Sequence, residues 1–185
     1  MPYYLTGKVG QNSMRCAIVY SGQTGNTALL AQRLKAMLSI SDLVYYGAPD
    51  GKGAVADVIW VGFWTDKGSS DELVSAFLRT LQDKKVFLFG TAGFGGSKAY
   101  FAQILSRVQE NLNPSNTVVG SYMCQGKMPA SVRQRYEALQ VQQPEQMRQL
   151  IENFDAARSH PNQTDLDGLE SAAAKAICTL RECCQ

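Results

Sequence analysis

Short apolar runs alternate with segments of helical periodicity through the first two thirds of the chain. Runs of this length indicate strands buried on both faces, and apolar residues at three- and four-residue spacing indicate amphipathic helices between them. Strands joined by helices form right-handed βαβ units around a parallel sheet. The five predicted strands cover residues 16–20, 43–46, 57–63, 85–89 and 118–123. The pattern therefore predicts an α/β fold with helices on both faces of a five-stranded parallel sheet.

The rest of the chain is predicted to be helical. After residue 126 no further strand pattern occurs, and helices are expected over 132–139, after Pro144, and from about Leu166 to Leu180, with Thr164 as the N-cap of the last one. We expect these helices to cover the sheet. Residues 1–13 have no periodic pattern and are predicted to be an N-terminal tail, which leaves 14–185 as a single domain.

Composition excludes several classes of function. The net charge is +2 and charged residues make up 18% of the chain, so nothing indicates binding to nucleic acid or to a membrane surface. No apolar run approaches the roughly 20 residues of a membrane span, and no secretory signal is evident, which predicts a cytoplasmic protein. Five irregularly spaced cysteines and a single histidine predict neither a disulfide framework nor a metal site.

The loop between the first strand and the first helix is the most informative stretch. It consists of Ser-Gly-Gln-Thr-Gly-Asn-Thr over residues 21–27. The start of a helix directs backbone N–H groups and the positive end of the helix dipole to one point, and here hydroxyl groups are added while no lysine follows. The loop is therefore neither that of nucleotide hydrolases nor that of dinucleotide binders. Hydroxyls and amides without cations are suited to a terminal phosphate monoester.

This loop resembles the FMN phosphate loop of the flavodoxin family, whose pattern is Thr/Ser-x-Thr-Gly-x-Thr. Ser21, Thr24, Gly25 and Thr27 occupy its main positions, and the resemblance extends over residues 15–126. It implies a flavodoxin-like three-layer sandwich with strand order 2-1-3-4-5, extended here by the C-terminal helices. In such a sheet the loops after strands 1, 3 and 4 meet around one ligand at the topological switch point.

The resemblance assigns the FMN contacts to these three loops. They are Ser21, Gln23, Thr24, Gly25, Asn26 and Thr27 after strand 1; Trp64, Thr65, Asp66, Lys67 and Gly68 after strand 3; and Thr91, Ala92, Gly93, Phe94, Gly95 and Gly96 after strand 4.

The two later loops are expected to hold the isoalloxazine ring. In the family an aromatic residue often follows a threonine after strand 3, whereas here Asp66 takes that place and Trp64 precedes Thr65. The glycines after strand 4 allow the backbone to approach a flat ligand. Trp64 can still cover one face of the ring, and Phe94, rather than Tyr100, is the residue expected to stack on the other face. Near the ring, Asp66 would disfavour the anionic reduced flavin and Lys67 would favour it.

Three hypotheses of function follow. The first is an electron-transfer protein that uses three redox states of FMN to pass electrons between a reductase and a redox partner. It needs no nucleophile or acid–base pair, and we assign no catalytic residue. The family's carriers are usually strongly acidic, whereas this chain is near neutral. Besides the enzyme described in the next paragraph, a third hypothesis is a binding module that keeps the fold without the flavin.

The second hypothesis is an FMN-dependent oxidoreductase that acts on a quinone, a nitro compound or a tetrapyrrole. The Trp64–Ser70 loop and the extra helices would then form an open pocket. The stretches Phe-Trp-Thr-Asp-Lys (63–67) and Cys-Gln-Gly-Lys (124–127) are similar to those of small flavodoxin-like proteins that accompany flavin reductases in anaerobic bacteria. This similarity implies a bacterial accessory electron donor as a further alternative.

Overall fold

A parallel sheet with strand order β2-β1-β3-β5-β6 forms the middle layer of the structure. The structure is a computed structural model, and it describes residues 14–38 and 42–182. The predicted tail at residues 1–13 lies outside the described residues. The strands are β1 (Cys16–Tyr20), β2 (Leu43–Gly47), β3 (Val58–Asp66), β4 (Ser69–Ser70), β5 (Lys85–Ala92) and β6 (Thr117–Gln125). The short β4 pairs antiparallel with the end of β3. Apart from β4, the order is the predicted one.

Helices cover both faces of the sheet. They are α1 (Asn26–Met37), α2 (Glu72–Thr80), α3 (Lys98–Gln109), α4 (Ala130–Leu139), α5 (Pro144–Ala157) and α6 (Gln163–Glu182), and a short 3-10 helix spans Gly53–Val55. None of the helices in the described part of the chain has the length and hydropathy needed to cross a membrane.

Two cores are separated by the sheet because successive strand residues point to opposite faces. On one face, Trp60 and Phe87 pack against α1 and α6. On the other, Val61 and Leu88 pack against α2 and α3. The side chains of β1, and of β3 from Val58 to Phe63, are almost completely buried on both faces. This burial explains why these strands form nearly continuous apolar runs in the sequence.

The predicted end of the third strand and the predicted start of the last helix are wrong. The third strand does not end at Phe63 but continues to Asp66, so residues 64–66 belong to a strand and not to a loop. The last helix begins at Gln163, which places Thr164 inside it. Asn162 stands before that helix instead, and its Oδ1 accepts a hydrogen bond from the Asp165 N–H at 3.2 Å. The Ser-His-Pro-Asn turn thus supplies the capping residue two positions earlier than expected.

Candidate functional site

The first turn of α1 is open to an anion. Gly25 holds the N-cap position with φ +82°, and no side chain caps the helix. The side chains of Asp71 and Ser97, by contrast, cap α2 and α3. The N–H groups at the start of α1 are therefore left to a ligand or to solvent, at the positive end of the helix. This arrangement is the one that the sequence predicts for the phosphate of FMN.

The loop after β1 closes onto this turn and contacts the sheet through Thr27. Thr27 is 1% exposed, and its Oγ1 lies 3.4 Å from Thr91 Oγ1 in β5. A Cβ atom on Gly22 would lie only 3.2 Å from the Thr27 Cβ, so the loop packs directly on the helix. Within the loop Thr24 is partly buried, while Gln23 is exposed.

Thr91 links the end of β5 to the end of β3 and to the first turn of α1. Besides its contact with Thr27, its backbone oxygen accepts a hydrogen bond from Thr65 Oγ1 at 2.9 Å. Trp64, which is partly buried, lies opposite Thr91 in the β3–β5 register. The structure therefore brings members of all three predicted groups of residues together, with the buried Thr91 between them.

The predicted loop after β3 is a hairpin. Asp66 pairs with Ser69, and the two residues between them have positive φ, +47° for Lys67 and +81° for Gly68. Two consecutive residues of positive φ define a type I′ turn, which matches the twist of the strands it joins. Arg107 of α3 donates a hydrogen bond from Nη1 to the Gly68 oxygen at 3.3 Å. The turn is thus held by a helix behind it.

The glycine-rich loop is shorter than predicted, because β5 continues through Ala92. Thr91 and Ala92 are buried strand residues, and the loop begins at Gly93. Phe94 is 49% exposed and its ring meets Tyr100 edge to face, with 6.2 Å between the ring centroids. Phe94 is not packed into the core and is accessible to a ligand, which agrees with its predicted stacking role. That role stays a prediction.

The loop after β6 approaches the same edge of the sheet. The Gly126 N–H donates to the Ala92 oxygen at 3.0 Å. Asn26, which is 6% exposed, donates from Nδ2 to the Lys127 oxygen at 2.9 Å and to Thr24 Oγ1 at 2.8 Å. The buried Asn26 side chain thus connects the first loop to this one.

Some residues at the site were not predicted. Arg107 and Asn153 donate hydrogen bonds to backbone oxygens of loops that are distant in sequence. Nothing in the sequence around either residue predicts these hydrogen bonds. Asp71 could have been found, because an aspartate directly before an amphipathic helix is a common N-cap.

Two cysteines and the histidine have structural positions, while a third described cysteine, Cys178, is exposed on α6. Cys16 and Cys124 are buried free thiols. Burial raises the pKa of Cys16 to about 12 and also raises the pKa of Cys124. His160 Nδ1 lies 2.6 Å from Asp165 Oδ2 in the turn before α6. Within residues 14–38 and 42–182, no cluster of His, Cys, Asp and Glu is suited to a metal ion.

A buried carboxylate lies beside the first loop. Asp71 is 5% exposed, its Oδ1 accepts a hydrogen bond from the Val74 N–H at 3.4 Å, and its Oδ2 has no hydrogen-bond partner among the described residues. Burial raises the pKa of Asp71, and a contact with the Ser21 hydroxyl lowers it in part. At pH values above the raised pKa of Asp71, burial of the charged carboxylate therefore lowers the free energy of unfolding.

Replacement of Asp71 by asparagine tests this cost. Asparagine caps a helix as well as aspartate does, so Asp71→Asn should leave α2 intact and remove the buried charge. We expect this variant to equal or exceed the wild type in unfolding free energy at pH 7. The difference should shrink as the pH falls through the raised pKa, since the wild-type carboxyl then becomes neutral. Urea unfolding without added FMN measures the difference at pH 7 and at pH 3.5, which lies below the ordinary aspartate pKa of 3.8.

Asp71→Ala is the matched control, because it removes the charge and the cap together. It should be less stable than Asp71→Asn by about 1 kcal/mol at both pH values. A difference between wild type and Asp71→Asn that does not change with pH would contradict the assignment of a raised pKa.

The donor set fits a phosphorylated flavin. Hydroxyls of the first loop and the uncapped start of α1 match a phosphate monoester. Thr27, at 1% exposure, has one hydrogen-bond contact among the described residues, with Thr91 at 3.4 Å, and this distance is long for two hydroxyl groups, so a phosphate oxygen would be a stronger acceptor. An exposed aromatic ring on the loop after β5 can stack on a planar group.

Comparison with known proteins defines the class. The family model of the flavodoxin domain matches residues 17–174, and the chain belongs to the flavodoxin family. The flavodoxin-like domain-containing protein BilS of Clostridium symbiosum is 36% identical over 172 residues, and the match covers 83% of this chain and 90% of that protein. BilS of Clostridioides difficile is 30% identical over 162 residues, with the same coverage. The resemblance predicted from the phosphate loop is thereby confirmed.

Solved structures agree on the fold. A short-chain flavodoxin associated with a non-canonical PDU bacterial microcompartment has a TM-score of 0.57 at 15% identity, and the match covers 90% of this chain and 98% of that one. Flavodoxin 1 of Bacillus cereus gives a TM-score of 0.51 at 14% identity, covering 88% and 97%. Membership of the family confirms FMN as the cofactor and an electron-transfer flavoprotein as the kind of protein.

Proposed function

We propose that this chain is an electron carrier that holds FMN at the carboxyl edge of its sheet and passes electrons between a reductase and a redox partner protein. The observation that carries the proposal is the meeting of the loops after β1, β3 and β5 at Thr91, beside the uncapped start of α1. We further propose a cytoplasmic location and a single domain over residues 14–185.

Each group of residues has a separate task in this proposal. Ser21, Thr24 and Thr27 bind the phosphate together with the N–H groups of α1. The Lys67–Gly68 hairpin and Phe94 border the ring, which supplies the electron-accepting chemistry when FMN is bound. Asp66 and Lys67 stand at the end of that hairpin with opposite charges, and their balance adjusts the electrostatic potential at the ring.

An FMN-dependent oxidoreductase or its accessory electron donor is the alternative. One observation favours it: the α4–α5 segment reaches the glycine-rich loop, where Asn153 contacts Gly93 and Gly95. These extra helices could form one wall of a substrate pocket beside the ring.

A visible absorption spectrum after FMN addition and desalting tests the proposal first. Bands at ~375 and ~450 nm are expected for a retained flavin. Riboflavin, which lacks the phosphate, should be lost on desalting because the first loop has no anion to hold. A colourless protein with both ligands would overturn flavin binding, and equal retention of riboflavin would overturn the phosphate assignment.

Anaerobic titration with NADPH then separates the two functions. A carrier should keep its visible bands with NADPH alone and lose them once a catalytic amount of a flavodoxin reductase is added. Bleaching by NADPH alone would contradict the carrier proposal and establish an oxidoreductase.

A further inference from the structure

The loop that follows β5 is held by a side chain from a helix 60 residues away in sequence. Asn153 of α5 donates a hydrogen bond from Nδ2 to the Gly93 oxygen at 3.0 Å. The Gly95 N–H donates in turn to Asn153 Oδ1 at 3.3 Å. One amide group thus binds the backbone on both sides of Phe94, and we call this arrangement the Asn153 clamp.

A second side chain reinforces the clamp. Gln125, at the end of β6, donates from Nε2 to Asn153 Oδ1 at 3.2 Å and to the Gly93 oxygen at 3.3 Å. Asn153 and Gln125 are both partly buried, which reduces competition from water. The Met128 side chain fills the space over Gly93, where an added Cβ would lie 2.3 Å from Met128 Cγ. The loop is therefore fixed by polar and apolar contacts together.

The clamp has a consequence for what the loop can offer to a ligand. Its two hydrogen bonds engage the oxygen of Gly93 and the N–H of Gly95, while Phe94 between them remains 49% exposed. A glycine-rich loop without such contacts would sample many conformations, because glycine has no Cβ to restrict it. Here the peptide groups flanking Phe94 have one defined orientation.

We propose that Asn153 is a positioning residue that fixes the 93–95 loop against the flavin ring and thereby helps to set the reduction potentials of the bound FMN. The inference rests on the proposed function, because it requires FMN at this edge of the sheet. A rigid loop cannot adjust to the different hydrogen-bonding and charge of the oxidised and reduced ring. It therefore binds one redox form better than the other, and that difference shifts the potential.

Replacement of Asn153 by alanine tests the proposal in two measurements. Hydrogen exchange of the backbone amides of residues 93–97, recorded on the FMN-free protein, should become about tenfold faster because both backbone contacts are lost. The ratio of the affinities for oxidised and one-electron-reduced FMN should also change about tenfold, which corresponds to ~59 mV in that midpoint potential. Affinity for oxidised FMN should change less, since the phosphate loop is intact.

Two further variants act as controls. The first control is Gln149→Ala. Gln149 lies one turn before Asn153 on α5, where it is exposed and its side chain contacts Glu145. This variant should leave both the exchange and the potential unchanged. Gln125→Ala removes the supporting hydrogen bonds only and should give a smaller effect in the same direction. It also keeps the proposal testable if Asn153→Ala does not fold, as judged by circular dichroism.

The outcomes are distinct. Unchanged exchange at 93–97 in a folded Asn153→Ala protein would show that the clamp does not hold the loop. Faster exchange with an unchanged potential would make the clamp merely structural and would overturn the positioning role. A wild-type protein that binds no FMN would overturn the proposed function and this inference with it, while the exchange data on the FMN-free protein would still report on the clamp itself.

Discussion

Replacement of Thr24 and Thr27 by alanine together is expected to weaken FMN binding at least 30-fold, or about 2 kcal/mol. Each hydroxyl would donate a hydrogen bond to the charged phosphate, and bonds to charged groups contribute more than neutral ones. Thr27 is buried beside Thr91, and Thr24 lies partly buried in the same loop. Titration of FMN fluorescence with protein measures the dissociation constant.

Two comparisons separate hydroxyl chemistry from packing in this test. The double variant Thr24→Val with Thr27→Val keeps the side-chain volume and should lose nearly the same affinity. Thr179→Ala, in α6, removes an exposed threonine whose hydroxyl donates to the Lys175 oxygen and to nothing else among residues 14–38 and 42–182, and this variant should bind FMN as the wild type does. Unchanged affinity in both double variants would contradict the phosphate-loop assignment.

Truncation of Trp60 to alanine is expected to lower the free energy of unfolding by about 3–5 kcal/mol. Trp60 is completely buried in β3, and its ring packs against Phe87 at an interplanar angle of 39°, with 4.7 Å between the centroids. Alanine would leave a cavity between the sheet and the helices α1 and α6, in a region that is already close-packed. The melting temperature should fall by about 10 °C in a calorimetric scan.

Trp64 is the matched comparison for the stability loss expected at Trp60. Trp64, four residues along the same strand, is partly exposed at the candidate site. Trp64→Ala should cost clearly less stability than Trp60→Ala, because less surface is removed from a buried environment. Trp60→Phe should recover much of the loss by keeping an aromatic ring against Phe87. Equal destabilisation by Trp60→Ala and Trp64→Ala would contradict these burial assignments.

The order of the sheet could be predicted because its strands are buried on both faces. Cys16–Tyr20 and Val86–Phe89 are nearly pure apolar runs, and this pattern is hard to confuse with a surface loop. The end of β3 was predicted less well. Trp64, Thr65 and Asp66 are only partly buried, so polar residues are tolerated there and the apolar pattern stops after Trp64. The turn signal at Lys67 is also weak, since lysine rarely adopts positive φ.

The phosphate loop could be predicted for a different reason. All of its residues lie within one short segment, so local sequence determines both its conformation and its chemistry. Gly25 at positive φ before α1 and Thr27 in the first helical turn are both visible in that segment. The residues that contact the phosphate and those that contact the flavin ring are all still predictions, although the fold places their loops at the same edge of the sheet.

The clamp could not be predicted, because its residues meet only after folding. Asn153 lies in the middle of an amphipathic helix, where an asparagine ordinarily faces solvent. Nothing near it in the sequence identifies Gly93 as its partner. Contacts of this kind depend on the packing of α5 against the end of the sheet, which single-sequence periodicity does not encode.

With FMN at the proposed site, the contacts of Thr91 would also determine when during folding the cofactor can bind. Thr27 and Thr91 are 64 residues apart and Thr65 and Thr91 are 26 apart, so the three residues come together only after β1, β3 and β5 are aligned. A chain that lacks any one of these strands has an incomplete binding site. FMN should then bind only the completed sheet, so that it slows unfolding without accelerating the initial assembly of the strands.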